Sequence, residues 1–244
     1  MSIMRLQKWL SEAGLCSRRE GERWIEAGRV SVDGEVVTRQ GVQVGPEAVV
    51  TVDGQPIMLR KGNLRVVVAL YKPVGVICSR TDPEGRPSVF RLVEGAGARL
   101  VSVGRLDYNS EGLLLFTSDG DLANRLTHPR NEVPRIYRVR VHGRIDAAML
   151  TRLQAGVQLD DGHTGPLEVE LERVVGANSW LKLTLKEGRN RIIRRLFAAF
   201  DMDVARLIRI SYGGIELGET PSGAWRYLSR VEVGGLMNWV LPRR

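Results

Sequence analysis

Three stretches of this sequence hold side chains that could do chemistry. In GRLDYNSEGLLLFTSDG, residues 104–120, a carboxylate, Asp107, stands two positions after Arg105 in a basic chain. Asp-Tyr-Asn-Ser is good turn material, since short polar side chains bond their own backbone. By spacing Asp107 is therefore a turn former, and Glu111, Asp119 and Asp121 nearby dilute any stronger claim. The same carboxylate can act as a nucleophile, because it can attack and later leave. Paired with Glu111 it would suit acid–base hydrolysis instead.

The second stretch is EGRNRIIRRLFAAF, residues 187–200. Ile193, Leu196, Phe197 and Phe200 form a helical apolar stripe. At about 100° per residue, Arg191 and Arg195 point away from it and Arg194 lies on its flank. A flanking arginine can pack its stem and present its guanidinium to a cleft, although solvated surface charge is the plainer reading of all three. The third stretch, RIYRVRVHG, alternates as a strand: Tyr137, Val139 and Val141 on one face, Arg138, Arg140 and His142 on the other. A strand tyrosine by itself reads as core. The two cysteines and three histidines show no metal-ligand spacing, so metal-free chemistry is expected.

These groups need a scaffold, and 244 residues suffice for two domains. With 43% hydrophobic and 26% charged residues, the chain can bury a real core. No window approaches a membrane span and the start lacks a signal-peptide pattern, so a cytoplasmic protein without a membrane partner is expected; it is also expected to be a monomer. Net charge is +8, which favours a polyanion such as nucleic acid. Charge is nearly balanced over the first sixty-odd residues, so the excess belongs to the larger part.

Leu6, Trp9, Leu10 and Ala13 predict a short amphipathic helix ending at Gly14, and Ser17-Arg18-Arg19-Glu20 starts a second one. Asp33-Gly34 and Asp53-Gly54 mark hairpin turns. Basic groups cluster on the helices: Arg5 and Lys8, then Arg18, Arg19 and Arg23. MLRKGNLR, residues 58–65, reads as a polar linker, giving domains 1–60 and 66–244 joined through 61–65. Beyond it, VVVALYKPVGVICS predicts two strand segments around a kink at Pro73-Val74-Gly75. RLVSV and GLLLFT are further strands, DGDLANRLTHP and AAMLTRLQAG are helices, and LEVELERVV and SWLKLTL are paired strands. WVLPRR reads as a frayed basic tail. The fold class is α+β, a mixed-sheet domain behind a small N-terminal module.

RLQKWLSEAGLCSRREGERWIEAGRVSVDGEVV resembles the αL-type RNA-binding domain first known from a ribosomal small-subunit protein. The resemblance implies that the helical arginines grip RNA phosphates, contacts that position without reading sequence. YKPVGVICS, GRLDYNSEGLLLFTSDGDLANRLTHPR, IYRVRV and EGRNRIIRRLFAAF occur in the order found in ribosomal RNA pseudouridine synthases of the RsuA/RluB/RluE/RluF family. The nearest likeness is to the RluB type, which modifies large-subunit (23S) RNA. That resemblance implies Asp107 as nucleophile, Arg194 as the guanidinium that keeps it ionised, and Tyr137 as the active-site tyrosine. Arg105 would contact the target strand, help extrude the base, or serve only in a structural ion pair. Arg191 and Arg195 are read as further RNA contacts, and Lys72 and Pro73 as cleft wall. No cofactor is implied; the partner is ribosomal RNA, free or in an assembling subunit.

The family usually has glutamine where this chain has Ile192. Whether Asp107 bonds to the sugar or abstracts a sugar proton to give a glycal is left open by the residues. The rival readings are a non-catalytic RNA-binding assembly factor and a hydrolase using Asp107 and Glu111.

Overall fold

A computed structural model describes residues 3–59 and 66–240. The chain divides into two compact units, Met1–Leu64 and Arg65–Arg244. The expected linker at 61–65 lies outside the described residues.

The first unit runs β1 (Met4–Arg5), α1 (Leu6–Glu12), α2 (Arg18–Glu26), β2 (Val30–Val32), β3 (Glu35–Val36), β4 (Gln43–Val44), β5 (Val50–Val52) and β6 (Gln55–Ile57). Leu6, Trp9 and Leu10 bury one face of α1 against Ile25 of α2 and Val30 and Val50 of the strands. Ser17 caps α2 by accepting from the Glu20 N–H at 3.1 Å, as its spacing predicts. Strands order as β3-β2-β5-β6, with β1 and β4 paired apart. One correction concerns Arg5. It belongs to β1 and precedes α1, because its backbone is extended and pairs with Gln43.

The second unit continues with β7 (Val67–Lys72), α3 (Val89–Leu92), β8 (Val101–Ser102), β9 (Glu111–Thr117), α4 (Gly120–Thr127) and β10 (Arg135–His142). There follow α5 (Ala147–Ala155), β11 (Gln158–Leu159), β12 (Gly162–His163), β13 (Glu168–Val175), β14 (Asn178–Leu185) and α6 (Ile192–Ala198). The last elements are β15 (Val204–Tyr212), β16 (Ile215–Glu216), β17 (Trp225–Tyr227) and α7 (Arg230–Asn238). The main sheet has nine strands along the path β13-β14-β10-β15-β9-β7-β17, with β16 on β15 and β8 on β9. Its pairs are antiparallel except β15 with β9, which are parallel. The fold is thus the expected mixed α+β sheet. No described helix is long and apolar enough to cross a membrane.

Alternation along the strands divides the core. Leu114 and Phe116 of β9 join Val68 and Leu70 of β7 on one face, while Leu113 and Leu115 join Val67 and Ala69 on the other. Burial on both faces explains why β9 reads as an unbroken apolar run. β10 buries only its Tyr137, Val139 and Val141 side in the core and turns Arg138 and Arg140 to the other.

Two expectations are corrected here. Beyond Lys72 the second strand segment reduces to a single bridge, Ile77 with Ser88. The chain is drawn off by Gly75, whose N–H bonds the Tyr108 carbonyl at 3.0 Å. The basic tail was expected from Trp239, but Trp239 bonds the Gly213 carbonyl through Nε1 and Val240 is buried, so the chain stays packed that far.

Candidate active site

The Asp107 turn is held in place from below. The Asp107 carbonyl accepts from the Ser110 N–H at 3.0 Å, so the backbone makes the turn that the residue types predict. Lys72, fully buried, donates its ammonium to the Ser110 carbonyl at 2.8 Å and the Pro73 carbonyl at 2.9 Å. Burial pushes its pKa down, and the charges of Cys78, Asp107 and Glu111 oppose that. Lys72 lies beneath the cleft and is absent from its wall, which corrects the expected role. Cys78 Sγ meets the Leu106 backbone at 3.3 Å on the carbonyl and 3.4 Å on the N–H.

Above this support a cleft of about 280 Å3 opens between the turn, β10, β15 and the segment leading into α6. Asp107, Tyr137, Arg194, Arg105 and Arg191 all line it. The Asp107 side chain is half-buried, and no described residue gives its carboxylate a hydrogen bond or an ion pair. Turn former and cleft group are therefore one residue, with the backbone doing the first and the side chain left for the second. Tyr137 is 8% exposed and sits opposite Leu183 and Arg209 across the strands. Its hydroxyl has no hydrogen bond among the described residues.

Arg194 donates Nη1 to the Val204 carbonyl at 2.9 Å and Nη2 to the Asn109 carbonyl at 3.0 Å. Burial, then the charge of Arg191, lower its pKa, while Asp107 acts the other way. It grips the backbone of the Asp107 turn, makes no ion pair with the carboxylate, and leaves its buried Nε without a partner. Arg191 is not on the helix as its phase implied. It precedes α6 with φ 47°, exposed at the cleft. Ile192 also lines the cleft while packed into the core.

Arg195 stands apart from the cleft lining. It pairs with Asp160 and Asp161 at the tip of the β11–β12 hairpin, with Nη1 at 2.9 Å from Asp161 Oδ2. Hydrogen bonds from Arg195 and then Arg189 outweigh slight desolvation and hold the Asp161 carboxyl down to about 2. In the first unit Arg5, Arg18, Arg19 and Arg23 are exposed. Arg23 reaches Glu20 at 3.3 Å and Lys8 reaches Glu12 at 3.4 Å.

Several lining residues escaped the sequence reading. Ser110 is buried and its Oγ has no partner; Arg209, 2% exposed, bonds the Leu113 carbonyl through Nε and leaves Nη2 without one. Arg135 donates to the Tyr212 hydroxyl at 3.2 Å. A cation inside an apolar strand run, as in RLIRISY, is the signal that pointed to Arg209. Glu111 faces away from the cleft lining and is bound by Arg206 at 2.6 Å and the Tyr71 hydroxyl at 2.9 Å. Burial opposes its ionisation, yet these two partners hold its pKa down. Paired-carboxylate hydrolysis is thereby set aside. No group of three or more His, Cys, Asp or Glu that could hold a metal occurs among the described residues.

The cleft lies in a mixed sheet, lined by arginines beside a turn aspartate, and comparison with known proteins gives its class. The family model described as RNA pseudouridylate synthase matches residues 66–199, and the S4 domain model matches residues 4–50. The chain belongs to the RNA pseudouridylate synthase family and is a pseudouridine synthase with an N-terminal S4 RNA-binding domain. Its relatives include the ribosomal large subunit pseudouridine synthase B of Salmonella typhimurium, 48% identical over 241 residues, covering 97% of this chain and 83% of that protein. The synthase of the same name from Escherichia coli (strain K12) gives the same figures, 48% with 97% and 83% covered. A crystal structure of a pseudouridylate synthase is similar at TM-score 0.67 and 27% identity, covering 96% of this chain and 99% of that one.

Proposed function

We propose that this chain converts a uridine of large-subunit ribosomal RNA to pseudouridine, with Asp107 as the nucleophile. The observation that carries the assignment is the Asp107 carboxylate, unpartnered at an arginine-lined cleft that also presents Tyr137. In the reaction the bond between the sugar and uracil N1 breaks, the uracil turns, and its C5 bonds to the same sugar carbon. C5 gives up its proton and the freed N1 takes one up, so substrate and product are isomers and no cofactor is needed. Asp107 either attacks the sugar carbon or removes a sugar proton; a free carboxylate serves both routes.

The other residues take supporting roles. The target must leave its stack, and Tyr137 offers the extruded uracil an aromatic face, with its hydroxyl able to receive the C5 proton. Arg194 fixes the turn through the Asn109 carbonyl and sets a cation near the Asp107 carboxylate. Arg105, exposed at the cleft, contacts the target strand, as does Arg191. Arg5, Lys8, Arg18, Arg19 and Arg23 grip phosphates in the first unit, and Arg195 adds a contact outside the cleft if RNA displaces its aspartates. The enzyme works as a monomer in the cytoplasm on RNA that is free or entering the large subunit. The relatives named for the large subunit support that choice over small-subunit RNA.

Tritium release from transcripts labelled at uracil C5 tests this. Wild type should release tritium from large-subunit RNA, and Asp107→Asn should not, while binding that RNA with unchanged affinity. Release by Asp107→Asn would remove Asp107 from the mechanism. No release from either subunit's RNA, or from assembly intermediates, would leave an RNA-binding assembly factor.

A further inference from the structure

The sheet carries a second basic surface, on the face opposite Tyr137. Around the half-buried Trp180 of β14 lie three guanidinium carbons: Arg138 at 5.4 Å from the ring centroid, Arg173 at 5.7 Å and Arg140 at 5.9 Å. These residues come from β10, β14 and β13, neighbouring strands on one side of the sheet. The register sets like charges directly across from one another, Arg138 against Lys182 and Arg140 against Arg206. Like charges directly opposite one another destabilise a sheet.

Neutralisation here is partial. Glu172 pairs with Arg138 at 2.8 Å, Glu111 with Arg206 at 2.6 Å, and Glu170 stands across from Lys182 in the strand register. Arg140 and Arg173 have no ion pair among the described residues, and the Nε of Arg140 is buried with no partner. What holds them is the face of Trp180, which attracts cations without cancelling their charge. The ring, on β14, therefore acts as a template between guanidinium groups of the two flanking strands, β10 and β13, each about 4.8 Å away. A planar guanidinium fork matches phosphate oxygens, and a row of them suits a linear polyanion better than a single anionic group.

We propose that the Trp180 face is a second RNA-docking surface, where Arg138, Arg140 and Arg173 contact phosphates of the substrate RNA outside the segment that enters the cleft. The proposal rests on the reading of the chain as an RNA-modifying enzyme, and it adds a surface that the chemistry itself does not use. It makes affinity for long RNA separable from turnover of a short one.

The test compares wild type with Arg140→Glu/Arg173→Glu and, as the milder change, Arg140→Gln/Arg173→Gln. Two RNAs are used: full-length large-subunit transcript and the shortest fragment of it that wild type converts. The glutamate pair should weaken binding of the long transcript by about tenfold or more. Both pairs should reduce the slope of log affinity against log salt by about 1.4 to 1.8, the loss of two phosphate contacts. Tritium release from the short fragment should stay at the wild-type rate. Unchanged affinity and salt slope on the long transcript would overturn the proposal and leave the face to an acidic protein. Equal loss on the short fragment by the glutamine pair would also overturn it, because the arginines would then serve the fold or the cleft. If wild type released no tritium, the activity reading would fail, while the salt slopes on the long transcript would still decide this surface.

Discussion

Gly112 lies so close to Arg209 that a β-carbon on it would sit 2.3 Å from the Arg209 carbonyl oxygen and 2.7 Å from its nitrogen. The approach occurs in the parallel pairing of β9 with β15 and joins the strand leaving the Asp107 turn to one that lines the cleft. Gly112 also has φ +105°, where a side chain is strained. Gly112→Ala is expected to lose about 2–6 kcal/mol, strain and overpacking together. Gly235→Ala in α7, with nothing within 4 Å of its added carbon, should be neutral or stabilising by up to about 1 kcal/mol. Urea unfolding of the two variants reads the contrast.

Lys72 acts on the site without touching the cleft. Lys72→Met keeps the stem but removes both hydrogen bonds, to the Ser110 and Pro73 carbonyls. The Asp107 turn then loses its anchor, and a displacement near 1 Å costs on the order of 100-fold in rate. The expected outcome is kcat down by about 10- to 100-fold with RNA affinity within about twofold. Steady-state tritium release and filter binding give the two numbers, and a loss confined to binding would contradict the positioning role.

The start of α7 is latched by Glu232, which takes two bonds from Arg226 and closes a capping box with Ser229. Hydrogen bonding from Arg226 outweighs desolvation and, with the Ser229 bonds, lowers the Glu232 carboxyl from 4.5 to about 2. A depressed folded value means stability present in full above the unfolded value and lost as pH falls. The loss should run from about pH 4.5 down to about pH 2. Glu232→Gln should be less stable than wild type at neutral pH, and the gap should close over that window. Urea midpoints of both proteins from pH 6 downward check it; a constant gap would remove Glu232 from the acid response.

Arg19 and Arg23 lie one turn apart on α2, both exposed. Replacing both with Gln should weaken RNA binding and reduce the salt slope by about 1.4 to 1.8. Thermal stability should barely move, since the Arg23–Glu20 pair is exposed and worth at most about 1 kcal/mol. A salt slope equal to wild type would take these arginines out of the RNA interface.

The first unit was legible almost residue by residue, because its signals are local. Ser17 caps the helix it precedes, and Asp33 and Asp53 both take the left-handed turn conformation that an Asp-Gly hairpin asks for. The cleft was legible in its members but not in their bonds. Asp107, Tyr137 and Arg194 were expected together, yet the Arg194 donors end on backbone carbonyls. The helical phase that placed Arg191 failed because α6 begins one residue later, after a left-handed residue.

Buried charge was the least legible feature. Lys72 was expected in the cleft wall, Arg135 and Arg209 were not singled out, and all three are buried. Sequence alone determined most of the helices and strands, the two-part organisation and the residue types able to do chemistry, because periodicity, caps and turns are written within a few positions. Only the tertiary structure decided which strand neighbours which. That order sets Arg209 behind Tyr137, brings Arg206 to Glu111 and leaves the Asp107 carboxylate without a partner. Burial and pairing depend on contacts made across long separations, and no local pattern of residues encodes them.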